Sequence, residues 1–113
     1  MKTFNETFIQ SLANRKIYIK AGFTNGGYCV STLATLALCV DKEAFFEGAV
    51  FAFCSSSKKS IRFVLWENNG YWMIERRILT KTFQWPRNCR EKEDIQVAET
   101  EIKVLLASPD YKF

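Results

Sequence analysis

The chain has 113 residues, 48% of them hydrophobic and 15% aromatic, with a formal net charge of +4, four cysteines and no histidine. That length suits one domain over residues 1–113, with enough apolar material for a core. The missing histidine excludes Ser-His-Asp and Cys-His nucleophile pairs; no apolar run is long enough to span a membrane, and no two cysteines have Cys-x-x-Cys spacing, so no metal site is expected.

The N-terminal "MKTFNETFIQ" lacks the apolar stretch of a secretory signal, which predicts a cytoplasmic protein whose cysteines are small core residues. Thr3 with Glu6 fits a capping box, and Phe4, Phe8, Ile9 and Leu12 form one apolar stripe, so a helix is predicted over residues 4–13. "KIYIK" (16–20) is a short strand, and Ala21-Gly22 opens a turn. Asn25 then caps a helix running to Val40, apolar nearly all round and therefore buried. "DKEAFFEG" is a polar connection carrying Phe45 and Phe46. "AVFAFCS" (49–55), apolar on both faces, is a central strand, and "SSSKKS" is the polar loop after it.

Asn69-Gly70 is a two-residue hairpin signal. It pairs Asn68 with Tyr71, Trp66 with Met73 and Val64 with Glu75, and so sets Arg62 opposite Arg77. Phe63, Leu65, Trp72 and Ile74 then face the core; Arg62, Val64, Trp66, Met73, Glu75 and Arg77 face the other way. A four-residue loop over 67–70 keeps the same faces, since it shifts the register by two. "KTFQWP" adds a strand with Phe83 and Trp85 alike-facing, "IQV" extends briefly, and a last helix over about 98–107 turns Ile102, Leu105 and Leu106 inward. The fold class is α+β: an antiparallel β-meander of about four strands plus an N-terminal strand, packed with two or three helices.

Function follows from charge rather than from reactive groups. Eight basic residues stand against two acidic ones between positions 54 and 90. The outer hairpin face and its flanks supply a candidate DNA-binding set: Lys58, Lys59, Arg62, Trp66, Arg77, Lys81 and Arg87. Arginine beside an exposed aromatic can hold phosphates and stack on bases. Two structural readings stand beside this one. Glu75 is a natural cross-strand partner for Arg62 or Arg77, and Trp66 can lie beneath a terminal helix. No phosphate-binding glycine loop and no converging carboxylates occur, so no catalytic residue and no cofactor are expected.

The run Phe51/Phe53, Lys58-Lys59, Ile61-Arg62, Trp66-Glu67, Gly70-Tyr71-Trp72, Arg76-Arg77-Ile78 and Phe83-Gln84-Trp85-Pro86 resembles the second-reading-frame (TnpB-type) accessory proteins of insertion sequences of the sixty-six family. The "IYIKAGFTN" strand, Leu33, Ala34 and Leu36 of the next helix, and "SPDY" near the end are similar to that family too. The likeness spans about residues 17–111. Where that family has a Met-Arg-Lys-Gly segment, this chain has Gly26-Gly27-Tyr28-Cys29, with no basic residue. The resemblance implies a non-catalytic role in DNA transposition in a bacterial cytoplasm. Its partners would be the transposase of the same element and DNA, the latter bound weakly through its backbone. An adaptor that binds the transposase without touching DNA is the alternative.

Overall fold

The computed structural model describes residues 2–86 and 94–111. The described elements are, in order, α1 (Phe4–Ser11), β1 (Ile17–Thr24), α2 (Val30–Val40), α3 (Lys42–Phe46), β2 (Val50–Ser55), β3 (Ser60–Glu67), β4 (Gly70–Arg77), β5 (Asp94–Val97) and α4 (Glu99–Ala107). The strands form one mixed sheet in the order β4-β3-β2-β1-β5. The class is α+β, as the sequence pattern predicts. β1 and β2 are parallel, and α2 with α3 makes the crossover that a parallel pair requires.

Alternation along the buried strands splits the apolar residues between two cores. All of β2 is buried, as expected of a central strand. Val50, Ala52 and Cys54 face one side, where α1 and α4 cover them with Phe8, Ile9, Leu12, Ile102, Leu105 and Leu106. Phe51 and Phe53 face the other side, under Leu33, Ala34, Ala37 and Phe45 of α2 and α3. The sheet is therefore the middle of three layers.

Several local expectations give way to tertiary demands. β1 does not stop at Lys20. Gly22 adopts φ +83°, the pairing with β2 shifts register between Ile19 and Phe23, and the strand runs on to Thr24. A bulge, not a turn, is what this glycine supports. Asn25 does not cap α2: its side chain accepts from the Gly27 N–H at 2.7 Å, and the Tyr28 N–H bonds to its carbonyl at 3.1 Å. Two glycines cost a helix about 1 kcal/mol each, so they sit in that turn and α2 begins at Val30, with Cys29 at its N-cap. Only one side of α2 is buried, through Leu33, Ala34 and Ala37.

The "DKEAFFEG" connection contains α3, capped by the Asp41 carboxylate accepting from the Ala44 N–H at 3.0 Å. It ends at Gly48, φ +93°, with the Ala49 N–H closing back on the Ala44 carbonyl at 3.0 Å. The positive φ is what favours glycine there; a Cβ would lie 2.7 Å from Arg15 Nη1, the far end of a side chain that can shift.

Among the described residues the antiparallel meander has three strands, not four. Residues 81–86 are extended but join no ladder. Phe83 and Trp85 face one way and are buried, as alternation predicts, yet the backbone bonds go to several places. The Phe83 N–H reaches the Lys58 carbonyl (2.7 Å), the Gln84 N–H the Pro109 carbonyl (3.2 Å), and the Pro86 carbonyl accepts from Gly22 (2.7 Å). The next strand, β5, pairs antiparallel with β1 at the far edge. β4 is thus left as an edge with β3 as its only described strand neighbour. Thr3 caps α1 as expected, by accepting from the Glu6 N–H at 3.1 Å, but Phe4 is 75% exposed and overhangs a cleft between α1 and β4.

Candidate functional site

The hairpin keeps its predicted faces, and its register is that of the four-residue-loop alternative, not that of a turn at Asn69-Gly70. Asn68 (φ 49°) and Asn69 (φ 65°) make the two-residue turn, and Glu67 pairs with Gly70. Positive φ at both central positions is the mark of a type I′ turn, which asparagine tolerates better than most residues. Gly70 is released to begin β4. The shift of two residues sets Arg62 opposite Glu75 and Ser60 opposite Arg77.

That register decides the fate of Arg62. Its Nε donates to Glu75 Oε1 at 2.7 Å, Nη1 donates to the Tyr28 carbonyl at 2.9 Å, and Nη2 donates to the Gly26 carbonyl. The planar fork therefore holds one carboxylate and pins the 25–28 turn onto the sheet. Arg62 is 8% exposed. It is a structural staple, not the exposed phosphate contact its sequence position suggests. Glu75 is also reached by Arg77 Nε at 3.6 Å along the same strand, so the cross-strand reading of this acid holds for Arg62.

The hydrogen bond from Arg62, with the positive charges of Arg62 and Arg77, holds the Glu75 carboxyl below its ordinary range despite some burial. A depressed carboxyl contributes stability that is complete above its unfolded-state pKa and lost as pH falls through the folded one. We therefore expect the melting temperature to fall on acidification below the ordinary carboxylate range, and less steeply in Glu75→Gln. Equal acid profiles for the two proteins would contradict the pairing.

The other candidates do not assemble into one basic face. Lys58 and Lys59 are half-buried; the Lys58 ammonium lies 5.3 Å from the centroid of the Phe23 ring, and Lys59 Nζ donates to the Leu79 carbonyl at 3.2 Å. Their loop is organised internally, with Ser55 and Ser57 hydroxyls 3.0 Å apart. Arg77 is exposed, beside the Lys59 end of the hairpin; Lys81 is exposed and pairs with Asp110 at 3.6 Å. Arg87 lies outside the described residues.

Trp66 belongs to a different patch. It sits at the turn end, under α3 rather than a terminal helix, with ring centroids 5.2 Å from Phe46 and 5.5 Å from Tyr71 in edge-to-face contacts and 6.1 Å from Phe45. Phe46 and Tyr71 remain 47% and 45% exposed. Sequence reasoning missed this patch because α3 was not expected. It also placed Trp72 in the core, whereas Trp72 is 57% exposed on the edge strand, at the rim of a cavity it shares with Phe8 and Ser11 of α1. Of the described cysteines only Cys54 is a core residue, its thiol pushed up to about 12 by burial. Cys29 and Cys39 are exposed, and hydrogen bonds with Ser31 and Thr32 lower the Cys29 thiol to about 6. Cys89 is outside the described residues. Among the described residues no group of three or more potential metal ligands occurs, and no helix is long and apolar enough to cross a membrane.

The described structure is thus an α+β domain with its hairpin arginine internalised, an aromatic patch at one end of the hairpin and an open strand at its edge. The profile of the family described as "IS66 Orf2 like protein" matches residues 15–112, and the chain belongs to that family. It is, accordingly, a protein of the insertion-sequence accessory type. No curated protein and no solved structure matches it.

Proposed function

We propose that this chain is a non-catalytic accessory protein of a bacterial insertion sequence that works in the cytoplasm as an adaptor for the transposase of the same element. The observation that carries this reading is the contrast between the two ends of the hairpin. The central arginine is consumed inside the protein, while Phe46, Trp66 and Tyr71 form a partly exposed aromatic patch of the kind enriched at protein interfaces. A non-catalytic role is supported by the hairpin acids. Glu67 pairs with Arg15 at 3.1 Å and Glu75 with Arg62 at 2.7 Å, so each carboxylate already has a cationic partner.

Immobilised transposase of the same element should retain the parent protein and hold Phe46→Asp at least about tenfold more weakly, as expected for a residue central to an interface. Equal retention of both proteins would remove this patch from the interface. In magnesium or manganese the protein should neither nick nor join DNA carrying element ends; cleavage that disappears in Glu67→Gln would overturn the non-catalytic reading.

A second reading keeps weak DNA binding, favoured by the exposure of Arg77 and Lys81. A labelled duplex titrated at several salt concentrations tests it. If Arg77 or Lys81 neutralises a phosphate, its replacement by alanine should reduce the salt slope by about 0.9. A slope unchanged in both variants would exclude these residues.

A further inference from the structure

β4 is a long edge with no strand on its outer side among the described residues. It spans the eight residues Gly70–Arg77 and pairs with β3 without a register break. Natural edges are usually shortened, bulged, or guarded by proline or lysine, because an open ladder recruits another strand. This one has neither proline nor lysine, and it leaves Tyr71, Trp72 and Met73 45%, 57% and 40% exposed.

Its hydrogen-bonding parity is fixed. The Ile78 N–H bonds to the Lys59 carbonyl at 2.8 Å, in the same register as the β3–β4 ladder. Bonded and non-bonded pairs alternate in an antiparallel ladder. The even-numbered residues of β4 are therefore the ones bonded to β3. The N–H and C=O groups of Tyr71, Met73, Glu75 and Arg77 point outward along the free edge.

We propose that this edge pairs with β4 of a second copy of the chain, across a two-fold axis centred on Ile74, so that two five-stranded sheets become one. Such an axis stands normal to the sheet and keeps each face on its own side, so only residues of like parity can oppose one another. Centred on Ile74, it sets Met73 opposite the second copy's Glu75, Trp72 opposite its Arg76 and Tyr71 opposite its Arg77. Each arginine of the strand then meets an aromatic ring, an arrangement that favours cation–π contact. No like charges are directly opposed. All four outward-pointing residues find bonding partners. Centring on Met73 would leave Arg77 beyond the paired region, and centring on Glu75 would set two glutamates face to face. The strand is complementary to its own reverse, and that complementarity selects a second copy as the occupant. The pairing shares Tyr71 with the aromatic patch, and Phe46, which lies on α3 off this edge, tests the adaptor reading separately.

One strand pair buries less than a standard stable interface, so the dimer should be reversible with concentration. Sedimentation velocity over a concentration series around the micromolar range should show a monomer–dimer equilibrium. Met73→Pro removes an outward N–H at an edge position where proline is tolerated, and should move the midpoint about tenfold or more upward. Trp72→Lys alters an already exposed side chain and sets lysine against the second copy's Arg76, with the same expected shift. Its fold is checked by the thermal melt. For the register, Ile74→Cys is placed in a background with Cys29, Cys39 and Cys89 replaced by serine. It should form an intermolecular disulfide on mild oxidation, and Met73→Cys should not. A monomer at every concentration overturns the proposal, as does a midpoint unchanged in both edge variants. Cross-linking through position 73 instead of 74 overturns the register. A monomer whose transposase capture is abolished in Trp72→Lys would assign the edge to the transposase and overturn self-pairing.

Discussion

Trp85→Ala lowers the free energy of unfolding by about 3–5 kcal/mol, the range for deleting a large buried aromatic, whereas Trp72→Ala changes it by less than about 1 kcal/mol. Trp85 is 5% exposed and packs in the core beneath α1 and α4. Its indole N–H donates to the Lys20 carbonyl at 2.7 Å, which ties the extended 81–86 segment to β1. Truncation leaves a cavity and deprives β1 of that bond. Trp72 gives up little, because more than half of it is already in water. Urea unfolding of both variants beside the parent measures the difference. Equal destabilisation would mean that one of these two tryptophans has been placed on the wrong side of the protein boundary.

Arg62→Met should cost about 2–3 kcal/mol. Removing one member of a buried ion pair typically costs more, about 3–5 kcal/mol. Here the Glu75 side chain keeps 32% of its exposure, so water recovers part of the difference. The variant also strips the Gly26 and Tyr28 carbonyls of their donor and frees the 25–28 turn. Arg62→Met combined with Glu75→Leu should regain some of the stability, because it removes the orphaned carboxylate as well. A double variant less stable than Arg62→Met would show that Glu75 has enough solvent or Arg77 contact to stand alone. One practical consequence concerns DNA binding: a charge reversal at Arg62 would weaken the fold itself, so weaker binding in that variant says nothing about phosphate contact. Arg77 and Lys81 are the informative positions.

Local chemistry determined a large part of this protein. The Thr3 cap, the doubly apolar β2, the inward faces of α1 and α4, the alternation of the hairpin and the inward set of Phe83 and Trp85 were all legible in sequence. Each depends on residues within a turn or a strand of one another, where periodicity and capping act directly. The motif run from Phe51 to Pro86 carried the family in the same way. What the sequence left open was decided by partners far along the chain. The hairpin could close through Asn69-Gly70 or through a loop over 67–70, and both choices satisfy the same facial alternation; the structure takes the second register, with Asn68-Asn69 as its turn. Two residues of register turned an expected pair of opposed arginines into an Arg62–Glu75 staple with the arginine buried, and with it made Arg62 part of the scaffold. Alternation also cannot say which strands lie side by side. Because β5 pairs with β1 rather than extending the meander, β4 is left open among the described residues, and Trp72 sits on an inward-facing position that α1 only flanks, 57% exposed beside Phe8 and Ser11. A side chain's direction is local, but whether anything stands in that direction is settled only by how the layers close.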